Sequence, residues 1–161
     1  MSLVTEYLDA RGVPYEMIHD DPSRTSLEEA RAVHLDADQV LKAVVIATRG
    51  GRAVAVIPAS RRLDMHLVRE ALADRSAYLA TEDQLECEYP SIELGGAPVL
   101  GCLLDAETLV DPCVLERDTV VFAAGTRTES VRVQMRDLFR GEHAAFVRLV
   151  AEPESAEMSE P

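Results

Sequence analysis

Val40-Leu41-Lys42-Ala43-Val44-Val45-Ile46-Ala47-Thr48, then Arg49-Gly50-Gly51-Arg52, then Ala53-Val54-Ala55-Val56-Ile57-Pro58, is the stretch that decides the fold. Two nearly continuous apolar runs rich in β-branched residues flank a glycine turn, which is the signature of a β-hairpin. In the first run one charge interrupts the apolar residues. Side chains alternate between the two faces of a strand, so Lys42 shares a face with Val40, Val44 and Ile46. It is also the only lysine, against fifteen arginines. Arginine and lysine differ in shape, hydration and ease of deprotonation. Two readings of Lys42 stay open on spacing alone: an edge-of-core lysine extending its amine to water, or an ammonium at the floor of a pocket that binds a phosphate or a ribose hydroxyl.

Towards the N-terminus, Leu3, Val4, Tyr7 and Leu8 have helical spacing, with Gly12 at the end. Residues 13–19 read as a short strand. Thr25 or Ser26 can cap a helix to about Val33, because Glu28 or Glu29 stands three residues later. Towards the C-terminus, Leu63, Leu67, Val68, Ala71 and Leu72 repeat at helical spacing behind the N-cap Asp64. Residues 77–80 form a short strand, and Thr81-Glu82-Asp83-Gln84 is a capping box. Residues 89–101 hold Pro90, Gly95, Gly96, Pro98 and Gly101 and read as a shaped loop. Strands are expected over 102–110, 119–124 and 130–133. A helical turn or two follows at 135–139, and residues 143–150 are strand or helix. Helices among at least five short strands, without a βαβ repeat, predict an α+β domain whose mixed sheet is partly barrel-like, with flanking helices. One domain over residues 1–150 is expected, followed by an acidic and disordered tail over 151–161.

Several function classes fit the composition poorly. There are 161 residues, 47% of them hydrophobic, and a formal net charge of -13. The C-terminal Glu152, Glu154, Glu157 and Glu160 supply part of that charge, but the remainder is still acidic. Such a chain is unsuited to gripping long nucleic acid through a broad basic surface, so DNA is not an expected partner. No apolar run is long enough to span a membrane, and the start lacks the layout of a secretion signal, which makes a cytoplasmic protein the expectation. Cys87, Cys102 and Cys113 have no CxxC spacing and read as reduced thiols in or near the core. Without a His/Cys cluster, no metal or other cofactor is expected. No Ser-His-Asp order, GxSxG, P-loop or GxGxxG occurs.

Two further segments can wall a pocket. The adjacent glycines of Gly95-Gly96-Ala97-Pro98-Val99-Leu100-Gly101 allow backbone shapes closed to other residues, and Pro98 stiffens the chain beyond them. The segment serves equally well as a tight connection. The run Ala123-Ala124-Gly125-Thr126-Arg127-Thr128-Glu129-Ser130 places small and hydroxyl residues after an apolar strand, although such residues often only satisfy turn backbone. His19 is the only histidine at the end of an expected strand; His34, His66 and His143 look like surface positions.

Together, VLKAVVI, AVIPASRRLD, ELGGAPVLG and VVFAAGTRTESVRV resemble the YbaK / prolyl-tRNA-synthetase-associated domain family over residues 3–150. The resemblance implies an aminoacyl-tRNA deacylase that clears mischarged tRNA carrying a small amino acid. Its partners would be the 3′ end of aminoacyl-tRNA and a synthetase that presents it. It also implies Lys42 as the catalytic residue, and a pocket bordered by His19, Thr25, Gly95, Gly96, Ala97, Pro98, Gly101, Gly125, Thr126, Thr128 and Ser130. Aminoacyl esters are already activated, so positioning and electrostatics can carry the reaction without metal or protein nucleophile. Two positions depart from the pattern: Val99 stands where many relatives have a second proline, and Ser130 where some have an aspartate. The alternative is a domain of the same fold that binds an amino acid or nucleotide as a regulator or synthetase accessory, without turnover.

Overall fold

The computed structural model describes residues 3–19, 36–93, 96–126, 128–140 and 142–151. The helix expected near residues 25–33, His34 and the acidic end from Glu152 lie outside them. The described elements are α1 (Leu3–Arg11), β1 (Tyr15–His19), β2 (Leu41–Thr48), β3 (Gly51–Pro58), α2 (Met65–Leu72), β4 (Tyr78–Leu79), α3 (Glu82–Glu88), β5 (Glu107–Val110), β6 (Thr119–Ala123), β7 (Glu129–Gln134), α4 (Met135–Leu138) and β8 (Ala144–Phe146).

The hairpin forms as its sequence requires, with β2 and β3 antiparallel from Leu41↔Pro58 to Thr48↔Gly51. It is the centre of a five-stranded mixed sheet ordered β4-β2-β3-β5-β8, in which β5 runs parallel to β3 and β8 parallel to β5. A second, antiparallel sheet is ordered β1-β7-β6. A single parallel bridge, Val40↔Val121, joins the two sheets at the start of β2, and they do not close into a barrel among the described residues. The architecture is the mixed α+β arrangement anticipated from the sequence.

Period-two alternation sorts the hairpin residues between two cores. Leu41 and Val45 of β2, with Val54 and Val56 of β3, face the first core, which also takes Phe122, Val131, Val133, Val99, Leu100 and the α1 residues Val4 and Leu8. Ile46, with Ala53, Ala55 and Ile57, faces the second core, closed by Val68 of α2 and by Leu149. This explains why both strands are apolar along their whole length: each face of the sheet is covered. The helix starts behave as their residues dictate. Asp64 accepts from His66 N at 2.9 Å, and the Thr81/Gln84 box closes in both directions at 3.1 and 2.8 Å.

Two expectations are corrected and one open reading is decided. Residues 102–110 are not one strand, because Gly101–Leu104 forms a 3₁₀ turn and only Glu107–Val110 is extended. The cause is a close approach: a Cβ on Gly101 would stand 2.2 Å from Thr108 Oγ1 and 2.6 Å from Ala106 O. The chain therefore folds back tightly on β5, and Gly101 N donates to Thr108 Oγ1 at 3.0 Å. The thiols are not core residues as a group, since Cys87 and Cys102 are exposed and Cys113 is half-buried. The undecided segment 143–150 contains a short edge strand, β8, followed by irregular chain.

The C-terminal segment is fastened by Asp111. Its buried carboxylate accepts from Cys113 N at 2.9 Å, Leu149 N at 2.6 Å and Val150 N at 3.1 Å. Burial alone would raise the carboxyl pKa, but hydrogen bonds from Cys113, Leu149 and Val150 outweigh it and the net shift is downward. Among the described residues no helix is long and apolar enough to cross a membrane.

Candidate functional site

Lys42 is half-buried on β2, on the face of Val44 and Ile46, and has no hydrogen-bond or ion-pair partner among the described residues. What lies beside it follows from strand register. In a parallel pair, residues level with one another point to the same side. The bridge is isolated, so β2 and β6 pair only there; Lys42 lies two residues beyond Val40 on β2, and Ala123 two residues beyond Val121 on β6. Ala123 pairs with Ser130, and Ser130 with Ile18. Ala123, Ser130 and Ile18 thus form one row across β6, β7 and β1, and Lys42 stands on β2 two residues past the bridge that joins it to β6. The row below it is Val40, Val121, Arg132 and Glu16.

The glycine loop and the β6–β7 turn form a second group. A Cβ on Gly96 would lie 2.7 Å from Gly125 C and Thr126 N and 2.8 Å from Thr126 C, so only glycine lets this loop rest on that turn. The contact is locked by Glu93 N donating to Gly125 O at 2.9 Å and Gly96 N donating to Glu93 O at 2.8 Å. The turn is held from within, as Thr126 Oγ1 accepts from Thr128 N at 3.3 Å and Glu129 N at 3.1 Å. The N–H groups of Gly125 and Thr126 have no acceptor among the described residues. Beside this contact opens a cleft of about 360 Å³. Pro98, Ala124, Gly125, Thr126, Glu129 and the α1 residue Glu6 contribute to its wall. The α1 helix is fixed there by Tyr7, whose hydroxyl donates to Glu142, a carboxylate that also accepts from Cys102 Sγ at 3.3 Å and pairs with Arg11 at 3.7 Å. Burial first and the Glu142 carboxylate second push the Tyr7 phenol well above its usual range.

The residues singled out in the sequence divide accordingly. Lys42 lies two residues past the β2–β6 bridge and Ser130 pairs with Ala123 on β6, and Gly96, Pro98, Gly125 and Thr126 gather at the loop-turn contact, while Thr128 braces the turn. Ala97 follows Gly96, half-buried, and packs against the first core. His19 is exposed at the end of β1, level with Glu129 and one residue out of phase with the row. Gly101 is buried in the 3₁₀ turn on Thr108 and is absent from the cleft wall. Thr25 and Gly95 lie outside the described residues. Lys42 does not line the cleft; the two groups are connected through Ala123, the last residue of β6, which leads directly into the β6–β7 turn. Ala123 and Arg132 were not evident from the sequence. Alternation along β7 would have placed Arg132 with Ser130, but the bridge to β2 spans 81 positions and no local pattern signals it. No group of three or more His, Cys, Asp or Glu among the described residues is placed to hold a metal ion.

The family model for the aminoacyl-tRNA editing domain matches residues 20–140, well over half of the chain. The chain belongs to this editing-domain family. Solved structures of the same fold include a protein proposed as a trans-editing enzyme for prolyl tRNA synthetase, 22% identical with a TM-score of 0.78, covering 90% of this chain and 94% of that one. The hypothetical protein APE2540 is 23% identical with a TM-score of 0.78, covering 89% and 97%. A scaffold protein used for computational grafting of linear epitopes is 20% identical with a TM-score of 0.82, covering 93% and 96%. No curated protein matches in sequence. At these identities the structures establish the editing-domain fold, and the matched span 20–140 takes in β2, the loop, β6 and β7, so Lys42, Ala123, Ser130 and the loop-turn contact lie inside it, while Ile18 of β1 precedes it.

Proposed function

We propose that this editing domain hydrolyses the ester between a small amino acid and the terminal adenosine of mischarged tRNA, acting in trans on tRNA released or presented by a synthetase. The observation that supports the reading is the position of the only lysine, Lys42, without a charge partner among the described residues, two residues past the bridge that joins β2 to β6, the strand that leads into the β6–β7 turn. An ammonium in that position holds an anionic or hydroxyl-rich group by charge-assisted hydrogen bonds. The N–H groups of Gly125 and Thr126 are donors that can meet the oxyanion formed when the ester carbonyl is attacked, and Gly96 keeps that turn rigid. Water, or a hydroxyl of the substrate ribose, is the nucleophile. Lys42 anchors the terminal nucleotide and stabilises developing negative charge, and it forms no covalent intermediate.

Binding without turnover is the second reading. It is favoured by the composition of the row, in which Ala123, Ser130 and Ile18 offer no general base beside Lys42. A panel of mischarged tRNAs distinguishes the two: release of amino acid from at least one, lost in Lys42→Ala, supports the deacylase. Saturable binding with no release from any tRNA supports the second reading.

A further inference from the structure

An acidic protein that acts on RNA needs some local cationic anchor, and the row below Lys42 supplies one. Arg132 lies on the same face as Ser130, two residues further along β7 and level with Val121 and Val40. It opens onto a hollow of about 420 Å³ to which Tyr15, Glu16, Gln39, Thr119 and Gln134 also contribute. Gln134 is shared with a neighbouring hollow of about 440 Å³ that holds Arg117 and Arg136. The charge balance of these hollows is mixed. Arg132 Nη1 pairs with Glu16 at 3.1 Å, and Arg117 with Asp36 and, at 3.8 Å, with Asp38. Such partly exposed pairs contribute little, so a denser anion can replace them. Arg132 Nε is a further sign that the side chain is not fully satisfied, since it is buried and has no hydrogen-bond partner among the described residues.

We propose that Arg132 is the anchor for the phosphodiester backbone of the single-stranded 3′ end of the substrate RNA, one to three nucleotides before the terminal adenosine. This rests on the reading of Lys42 and the row of Ala123, Ser130 and Ile18 as the place of the aminoacyl end. Arg132 is two strands across and two residues along from Lys42, roughly 10 Å by 7 Å, or about 12 Å in all. Three or so stacked nucleotides cover that span at about 3.4 Å each. The planar guanidinium offers two parallel N–H donors to one phosphate, which Lys42 cannot do. Swinging away from Glu16 gives Nε the acceptor that it lacks, and Glu16 then acts as a competitor that keeps affinity for RNA moderate.

The test compares aminoacyl-tRNA with aminoacyl-adenosine, which lacks the phosphates, for wild type, Arg132→Gln and Glu16→Gln. Arg132→Gln is expected to lower the tRNA-to-adenosine ratio of kcat/KM about tenfold through KM, and to flatten the dependence of log KM on log salt by about 0.7. Glu16→Gln is expected to lower KM for the tRNA. An unchanged ratio and salt slope in Arg132→Gln, or an equal loss on both substrates, overturns the proposal. A short RNA with the sequence of the tRNA 3′ end, followed by fluorescence anisotropy, tests the anchor independently of turnover. If wild type releases no amino acid, yet Arg132→Gln weakens this RNA about tenfold, the deacylase reading fails and the anchor stands. If neither variant shifts the RNA affinity, the anchor fails whatever the deacylation result.

Discussion

Replacing Gly96 by alanine tests the loop-turn contact on which the proposed geometry depends. The added Cβ would stand 2.7 Å from Gly125 C and Thr126 N and 2.8 Å from Thr126 C. Carbon atoms pack favourably at about 3.5–4.0 Å, so loop and turn must separate by roughly 1 Å. All three obstructing atoms are backbone, and no side chain can rotate aside. Overpacking of this kind in a buried place costs about 1–3 kcal/mol, which in a chain of this size lowers Tm by roughly 3–10 °C. The catalytic effect should exceed the stability effect, because a 1 Å displacement of positioned groups can cost about a hundredfold in rate. Calorimetry and single-turnover deacylation of the best mischarged tRNA read the two effects separately. Gly50→Ala is the control, since nothing lies within 4 Å of its Cβ. A Gly96→Ala protein with unchanged Tm and unchanged rate would refute the claim that the glycine holds the turn in place.

Asp111→Asn should loosen the C-terminal segment. The carboxylate accepts three backbone N–H groups, and an amide NH₂ cannot replace the lost acceptor, so stability should fall by about 2–3 kcal/mol, with amide exchange accelerating first at Leu149 and Val150. Asp74 carries an acid dependence. The Ser76 hydroxyl, and next Arg49 N, hold its carboxyl down at about 2. A depressed pKa gives stability that is present above the unfolded value near 4 and is lost as pH falls towards 2. Thermal melts between pH 4 and 2 should therefore be flatter in Asp74→Asn than in wild type.

How much of this was legible in the sequence depended on range. The β2–β3 hairpin, the α2 and α3 caps and the α+β class are written in local periodicity and capping residues, and the structure has them at those places. The supposed strand over 102–110 shows where local reading stops. Its apolar residues fit a strand, but the tight packing of Gly101 on Thr108 is a tertiary fact that overrides pattern. The site shows the same limit more sharply. Lys42 was conspicuous as the one lysine on an apolar strand, whereas the placement of β6 and β7 beside it, and so of Ala123 and Arg132, comes from a bridge between distant segments. Ala123 is chemically plain, and Arg132 is one arginine among fifteen. Only the register distinguishes them.

The central claim, that Lys42 makes this editing domain a deacylase, is tested most directly by a panel of tRNAs mischarged with small amino acids, assayed with wild type, Lys42→Ala and Lys42→Arg. The account predicts release from at least one tRNA by wild type, a loss of about a hundredfold or more in kcat/KM for Lys42→Ala with the fold intact by circular dichroism, and only partial recovery in Lys42→Arg, whose planar forked guanidinium differs from a compact ammonium in shape and hydration. Hydrolysis by Lys42→Ala at the wild-type rate would contradict it.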